Sequence, residues 1–120
     1  MSKERRRSIG TAQASLRELN FVIDGTSGTP AASGLDKMLI SSVVDNGVGS
    51  YTINFLKPFN IKQAEGPHPQ ITCITPQRVP AVVAVAYNSI TIDVTDLAGA
   101  AADADIIVKV TGSDHRFVQK

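Results

Sequence analysis

The stretch DNGVGSYTINFLKPF, from Asp45 to Phe59, decides the fold. Two glycines, Gly47 and Gly49, stand one residue apart in front of an alternating run. A phosphate-binding loop needs a strand, then glycines, then a helix whose first N–H groups face the anion. Here Tyr51, Ile53 and Phe55 alternate instead with Ser50, Thr52 and Asn54, which is the period of a half-buried strand. No Lys-Ser or Lys-Thr pair follows the glycines. Asn46-Gly47 is a reverse-turn dipeptide that tolerates positive φ, and Gly49 suits the bulge of a slightly longer hairpin. The stretch reads as a β-hairpin, with Asn46-Gly47 at the turn and Gly49 at the bulge.

The same period recurs outward from this hairpin. In NSITIDVT, Ile90, Ile92 and Val94 alternate with Thr91, Asp93 and Thr95. LNFVID repeats the pattern through Leu19, Phe21 and Ile23, although Val22 interrupts its polar face. DIIVKVTG sets Ile106, Val108 and Val110 against Ile107, Lys109 and Thr111. KMLISSVVD reads as a strand from its β-branched content. QITCIT and PAVVAVAY read as apolar on both faces and bounded by Pro69, Pro76 and Pro80, so both are expected to be covered on two sides. These are seven candidate strands, separated by Gly, Pro, Asn and Asp signals, which predicts an all-β sandwich or jelly-roll-like domain of about seven to eight antiparallel strands. Phe21, Ile53, Phe55, Ile92 and Val108 are expected at its centre. GTSGTPAASG (Gly25–Gly34) and KQAEGPHPQ read as loops. LAGAAADAD supports at most one short turn, started by Thr95 or Asp96.

The chain has 120 residues, enough for one domain. Aromatics are only 5% and Trp is absent, so Val, Ile, Leu and Ala must build the core. The net charge of +1 gives no global argument for nucleic acid. Charge is nonetheless uneven. Residues 1–20 hold Lys3, Arg5, Arg6, Arg7 and Arg17 against Glu4 and Glu18, and the remainder is net acidic by two. The domain reading is an extended basic N-terminal arm over residues 1–14 and a β-sandwich over residues 15–120. MSKERRRSIG lacks the apolar segment of a secretory signal, and no run reaches the roughly 18 apolar residues of a membrane span. A soluble protein made in a cytoplasm, with no membrane partner, is expected. Cys73 is the single cysteine, so no intrachain disulfide forms.

Residue types that carry chemistry are sparse and poorly spaced. Ser113-Asp114-His115-Arg116 holds triad-like side chains without a Gly-x-Ser-x-Gly elbow. His68, His115 and Cys73 make a poor zinc set, and Cys73 is expected to be a small apolar core residue. Asp93, Asp96, Asp103 and Asp105 could surround a calcium ion but lack the EF-hand spacing. A sugar-binding module would predict exposed aromatics, yet only Tyr51 and Tyr87 are present beside four phenylalanines. Neither a cofactor nor a catalytic role is expected. The basic arm remains, with Lys3, Arg5, Arg6 and Arg7 suited to anionic groups on a neighbour. Arg116 and Phe117 offer a second contact.

The segment from Val43 to Phe59 also resembles a pattern recurrent in β-rich virion proteins of tailed bacteriophages. In these, V-x-D-x-G-x-G-x-Y-x-I/V-x-F precedes an apolar Pro-Phe strand end. The phrase occurs in tail-fibre and tail-tip modules and in small capsid-associated proteins, and it covers 17 residues here. The resemblance, with the arm and the compact β-domain, implies a capsid decoration or cement protein. That is a homo-oligomer, expected to be a trimer, on the capsid exterior, binding the major capsid protein through its arm and domain edges. It implies as an alternative a tail-associated β-module, with loops such as Gly25–Gly34 or Lys62–Gln70 contacting a host receptor or adaptor. Coiled-coil or repeat shaft material, usual in fibres, is absent from this chain.

Overall fold

The computed structural model describes residues 16–61 and 66–113. Within them the protein is all-β, with eight strands in two antiparallel four-stranded sheets. The strands are β1 (Leu16–Asp24), β2 (Ala32–Ser33), β3 (Ile40–Gly47), β4 (Ser50–Phe55), β5 (His68–Cys73), β6 (Arg78–Ala86), β7 (Ser89–Asp96) and β8 (Asp105–Ser113). A single 3-10 turn, Lys37–Leu39, leads into β3. One sheet has the order β2-β1-β8-β5 and the other β3-β4-β7-β6.

The alternation seen in the sequence becomes the core. Leu19, Phe21 and Ile23 of β1 and Ile106, Val108 and Val110 of β8 meet Tyr51, Ile53 and Phe55 of β4 and Ile90, Ile92 and Val94 of β7. All five residues expected at the centre are buried. Because side chains alternate at period 2, a one-residue slip would expose the whole set, so the core fixes the register. The outer face of the second sheet carries small polar pairs instead. Ser50 Oγ donates to Asp93 Oδ1 at 2.8 Å, Thr52 and Thr91 hydroxyls lie 3.1 Å apart, and Asn46 Nδ2 donates to Thr52 Oγ1 at 2.8 Å.

Three sequence readings need correction. The hairpin forms, but its loop is Val48-Gly49. Asp45 pairs with Tyr51 and Gly47 with Ser50, so the bulge falls at Asn46 and not at Gly49. Gly47 and Gly49 both adopt positive φ, 125° and 69°, so either glycine could seat a turn and the dipeptide rule chose the earlier one. Second, both loop readings lose residues to strands: Gly25–Gly34 contains the short strand β2, whose Ala32 and Ser33 pair with Ile23 and Val22, and His68, Pro69 and Gln70 at the end of KQAEGPHPQ belong to β5. Third, among the described residues β5 and β6 are not covered on both faces, and each is the outermost strand of its sheet. In β5, only Ile71 and Cys73 pack partly against the core, and β6 is exposed along most of its length.

The alanine-rich segment makes a tight loop rather than a helical turn. Asp96 starts it, with Oδ1 accepting from Ala98 N–H and Ala100 N–H at 2.9 and 3.0 Å. Thr95 then bridges to Ala101, and Ala102 N–H donates to Val94 O at 3.1 Å.

Candidate assembly surface

The sequence-predicted contact residues Lys3, Arg5, Arg6, Arg7, Arg116 and Phe117 lie outside the described residues, as do His115 and the arm boundary. Leu16 at the start of β1 pairs with Ser113 at the end of β8, so the first and last described residues lie side by side at one end of one strand pair. Arg17, part of the same basic surplus, is used internally. Its guanidinium sits 4.0 Å over the Phe59 ring, and Nη2 donates to Lys57 O and Pro58 O at 2.9 and 3.1 Å. Phe59 in turn meets Phe55 edge-on, with ring centroids 5.1 Å apart. Arg17 thus straps the segment after β4 onto β1.

At the opposite end, acidic side chains hold loops together. Asp103 Oδ1 accepts from Gly49 N–H at 2.8 Å and lies 3.0 Å from the Tyr51 hydroxyl. That hydroxyl is also 3.1 Å from Gly25 O and accepts from Ala104 N–H at 3.4 Å. It has one proton to give, and the carboxylate is the stronger acceptor. Burial, chiefly, and the Asp103 hydrogen bond push the Tyr51 pKa up to about 12. Asp105 Oδ1 accepts from both Thr26 N–H and Oγ1, and Asp93 from Ser50. The four acids suspected of surrounding an ion are each committed to a different loop or strand. Among the described residues no three His, Cys, Asp or Glu side chains group to hold a metal.

The remaining feature is one flank of the sandwich, where edges β5 and β6 lie against each other. Pro80, Val82 and Val85 pair with Val94, Ile92 and Ile90 of β7, whose side chains are fully buried. Paired residues share a sheet face, so these three point inward. Even so, Val82 is 37% and Val85 49% exposed, and Val83 beside them 55%. Half-buried Ile71 and Cys73, paired with the buried Val108 and Ile106, point inward from β5 along this flank, and burial pushes the Cys73 thiol pKa up. A cavity of about 490 Å³ opens at one end of the flank, between His68 and Pro69 of β5, Val85 and Ala86 of β6, Tyr87 and the Asn60–Ile61 segment.

The edges differ in length and charge. β2 has two residues, β3 has register shifts near both ends and carries Asp45, and β5 has six residues and contains Pro69. β6 is nine residues long and itself contains Pro80 and a register shift between Val82 and Ala84, but after Arg78 no charged residue occurs before Asp93. Its eight uncharged residues, Val79 to Ala86, are the longest charge-free edge among the described strands and a template for pairing with another strand. The sequence held this signal in the missing charges, but apolar content alone pointed to a covered strand.

Among the described residues, fold and flank together define a two-sheet β-sandwich whose β5–β6 side is open. A comparison with protein families finds no match, and no curated protein matches the chain. Among solved structures the chain is similar to the tailspike of phage phiAB6, determined in complex with three-repeated oligosaccharides of Acinetobacter baumannii surface polysaccharide. The likeness has a TM-score of 0.51 at 9% identity and covers 83% of this chain. The chain spans only 20% of the tailspike's length.

Proposed function

We propose that this chain is a structural β-module of a phage virion, associated with the tail. The observation that carries this reading is the likeness of its two-sheet sandwich to a part of a phage tailspike. A second support is the build of the domain. Among the described residues the buried side chains form one apolar core, and Asp96, Asp103 and Asp105 hold loops in place. On this reading the module is a rigid body that presents exposed backbone and loops, Gly25–Gly34 among them, to neighbouring virion components. The capsid-decorating role implied by the hairpin phrase shares the same fold but has no structural likeness behind it.

Labelling of intact particles decides between the two. With an antibody against this chain, gold at the tail vertex in electron micrographs is the expected result. Label spread over the icosahedral shell would overturn the tail reading and return the chain to capsid decoration.

A further inference from the structure

We propose that the β6 edge is the contact through which two copies of this chain join, by antiparallel pairing of β6 with β6 of a second copy about a two-fold axis between Val82 and Val83. The proposal deepens the structural-module reading by naming a partner for the open flank.

Three observations favour a second copy as the occupant. The first is charge. The edge is neutral from Val79 to Ile92, so two copies meet with no like-charge repulsion, and no charge awaits a complementary partner.

The second is sequence symmetry. An isologous contact requires a surface complementary to itself. Ala81-Val82-Val83-Ala84 reads the same in both directions, and an antiparallel copy sets Ala81 opposite Ala84 and Val82 opposite Val83. Pro80 then faces Val85, and Val79 faces Ala86.

The third is face matching across the bulge. The register shift between Val82 and Ala84 reverses the alternation of β6. Pro80 and Val85 therefore both point inward. Ala81 and Ala84 pair with Asp93 and Thr91 of β7 and both point outward. Within the two-fold register, inward side chains meet inward ones and outward meet outward on both sides of the central Val82–Val83 pair, where Val83 is the bulged residue with no β7 partner, and only small and medium side chains lie at the seam. Pairing would join the two β3-β4-β7-β6 sheets into one of eight strands. It would also bring the two β5 edges together over the half-exposed inward valines. A two-fold contact replaces the three-fold arrangement expected from the virion resemblance.

The test uses the full-length chain and its mass in solution by analytical ultracentrifugation over a concentration series. Wild type is expected at twice the chain mass of 12.7 kDa. Two double variants then probe the register on the outward, solvent-facing side, with far-UV circular dichroism and thermal melts confirming an intact fold. A81K/A84K places like charges opposite each other at both symmetry-related pairs and is expected to weaken the dimer by about 100-fold or more. A81K/A84E places opposite charges there and is expected to dimerise as wild type does. A V44K control on the β3 edge should leave the mass unchanged.

A wild type monomeric at millimolar concentration overturns the proposal, as does a trimer. Equal dimerisation of the two double variants also overturns it. Wild type that stays monomeric yet binds another purified virion protein through β6 would assign the edge to that protein instead. None of these outcomes touches the tail placement, which rests on particle labelling.

Discussion

Tyr51 sits in the middle of the stretch that decided the fold, and its side chain does two unlike things. The ring fills the core, fully buried. Its hydroxyl, at the end of that core, ties Gly25, Asp103 and Ala104 into one knot. Tyr51→Phe keeps the ring but takes the hydroxyl proton from Asp103 and the acceptor from the Ala104 N–H, so a loss of about 1–2 kcal/mol is expected from urea denaturation. The raised pKa has a pH consequence with a definite sign. The folded state holds the phenolic proton up to about pH 12, whereas the unfolded chain releases it near the ordinary value of 10.0. Stability from this group is therefore fully present below pH 10 and is lost as pH rises toward 12. In a Tyr87→Phe background, the 295 nm absorbance of Tyr51 should stay flat through pH 10–11 and rise with unfolding. Gly49 belongs to the same knot. Its φ is +69°, and an added Cβ would lie 2.5 Å from Val94 O and 2.8 Å from Ala102 N. Backbone on both sides cannot move aside, so Gly49→Ala should cost roughly 2 kcal/mol or more, read as a lowered melting temperature.

At the scale of elements, period-2 alternation was legible wherever one face is buried and the other wet. β1, β4, β7 and β8 are such strands, and the core residues read from them are the ones the structure buries. Edges were not legible, because apolar composition does not distinguish a strand covered twice from a strand left open. β6 shows this most clearly: PAVVAVAY has the residues of an interior strand in the position of an outer one. The hairpin was legible as a hairpin but its turn was displaced by two residues, since Asn46-Gly47 and Val48-Gly49 both satisfy local turn chemistry. What settled the matter is the long-range bond from Gly49 N–H to Asp103, which no local rule contains. The Arg17–Phe59 strap is a further long-range device hidden in what looked like tail charge. Arg17→Ala should loosen the segment after β4 by about 1 kcal/mol, through the lost cation–π contact and carbonyl bonds. Faster hydrogen exchange at Phe59 and Asn60 N–H would report it, and Arg17→Lys should recover only part of the effect.

For the whole molecule, the sandwich followed from strand count and spacing, while the pairing order of the strands did not. The candidate site divided in the same way. The basic residues that stood out by composition lie outside the described residues, whereas the open flank appears only once the sheets are assembled. One further property follows from the pairing of Leu16 with Ser113. Force applied between the two ends of the domain acts on adjacent ends of a single antiparallel ladder, so it loads the hydrogen bonds of β1 and β8 in succession, like a zip, and not all at once in shear. Single-molecule stretching by both ends should give low, stepwise rupture that starts at Leu16–Ser113. Stretching from Leu16 to a handle near Asp24, at the far end of β1, should meet a much stiffer body. The same body is thus mechanically soft to tension between Leu16 and Ser113 and stiff along the length of β1.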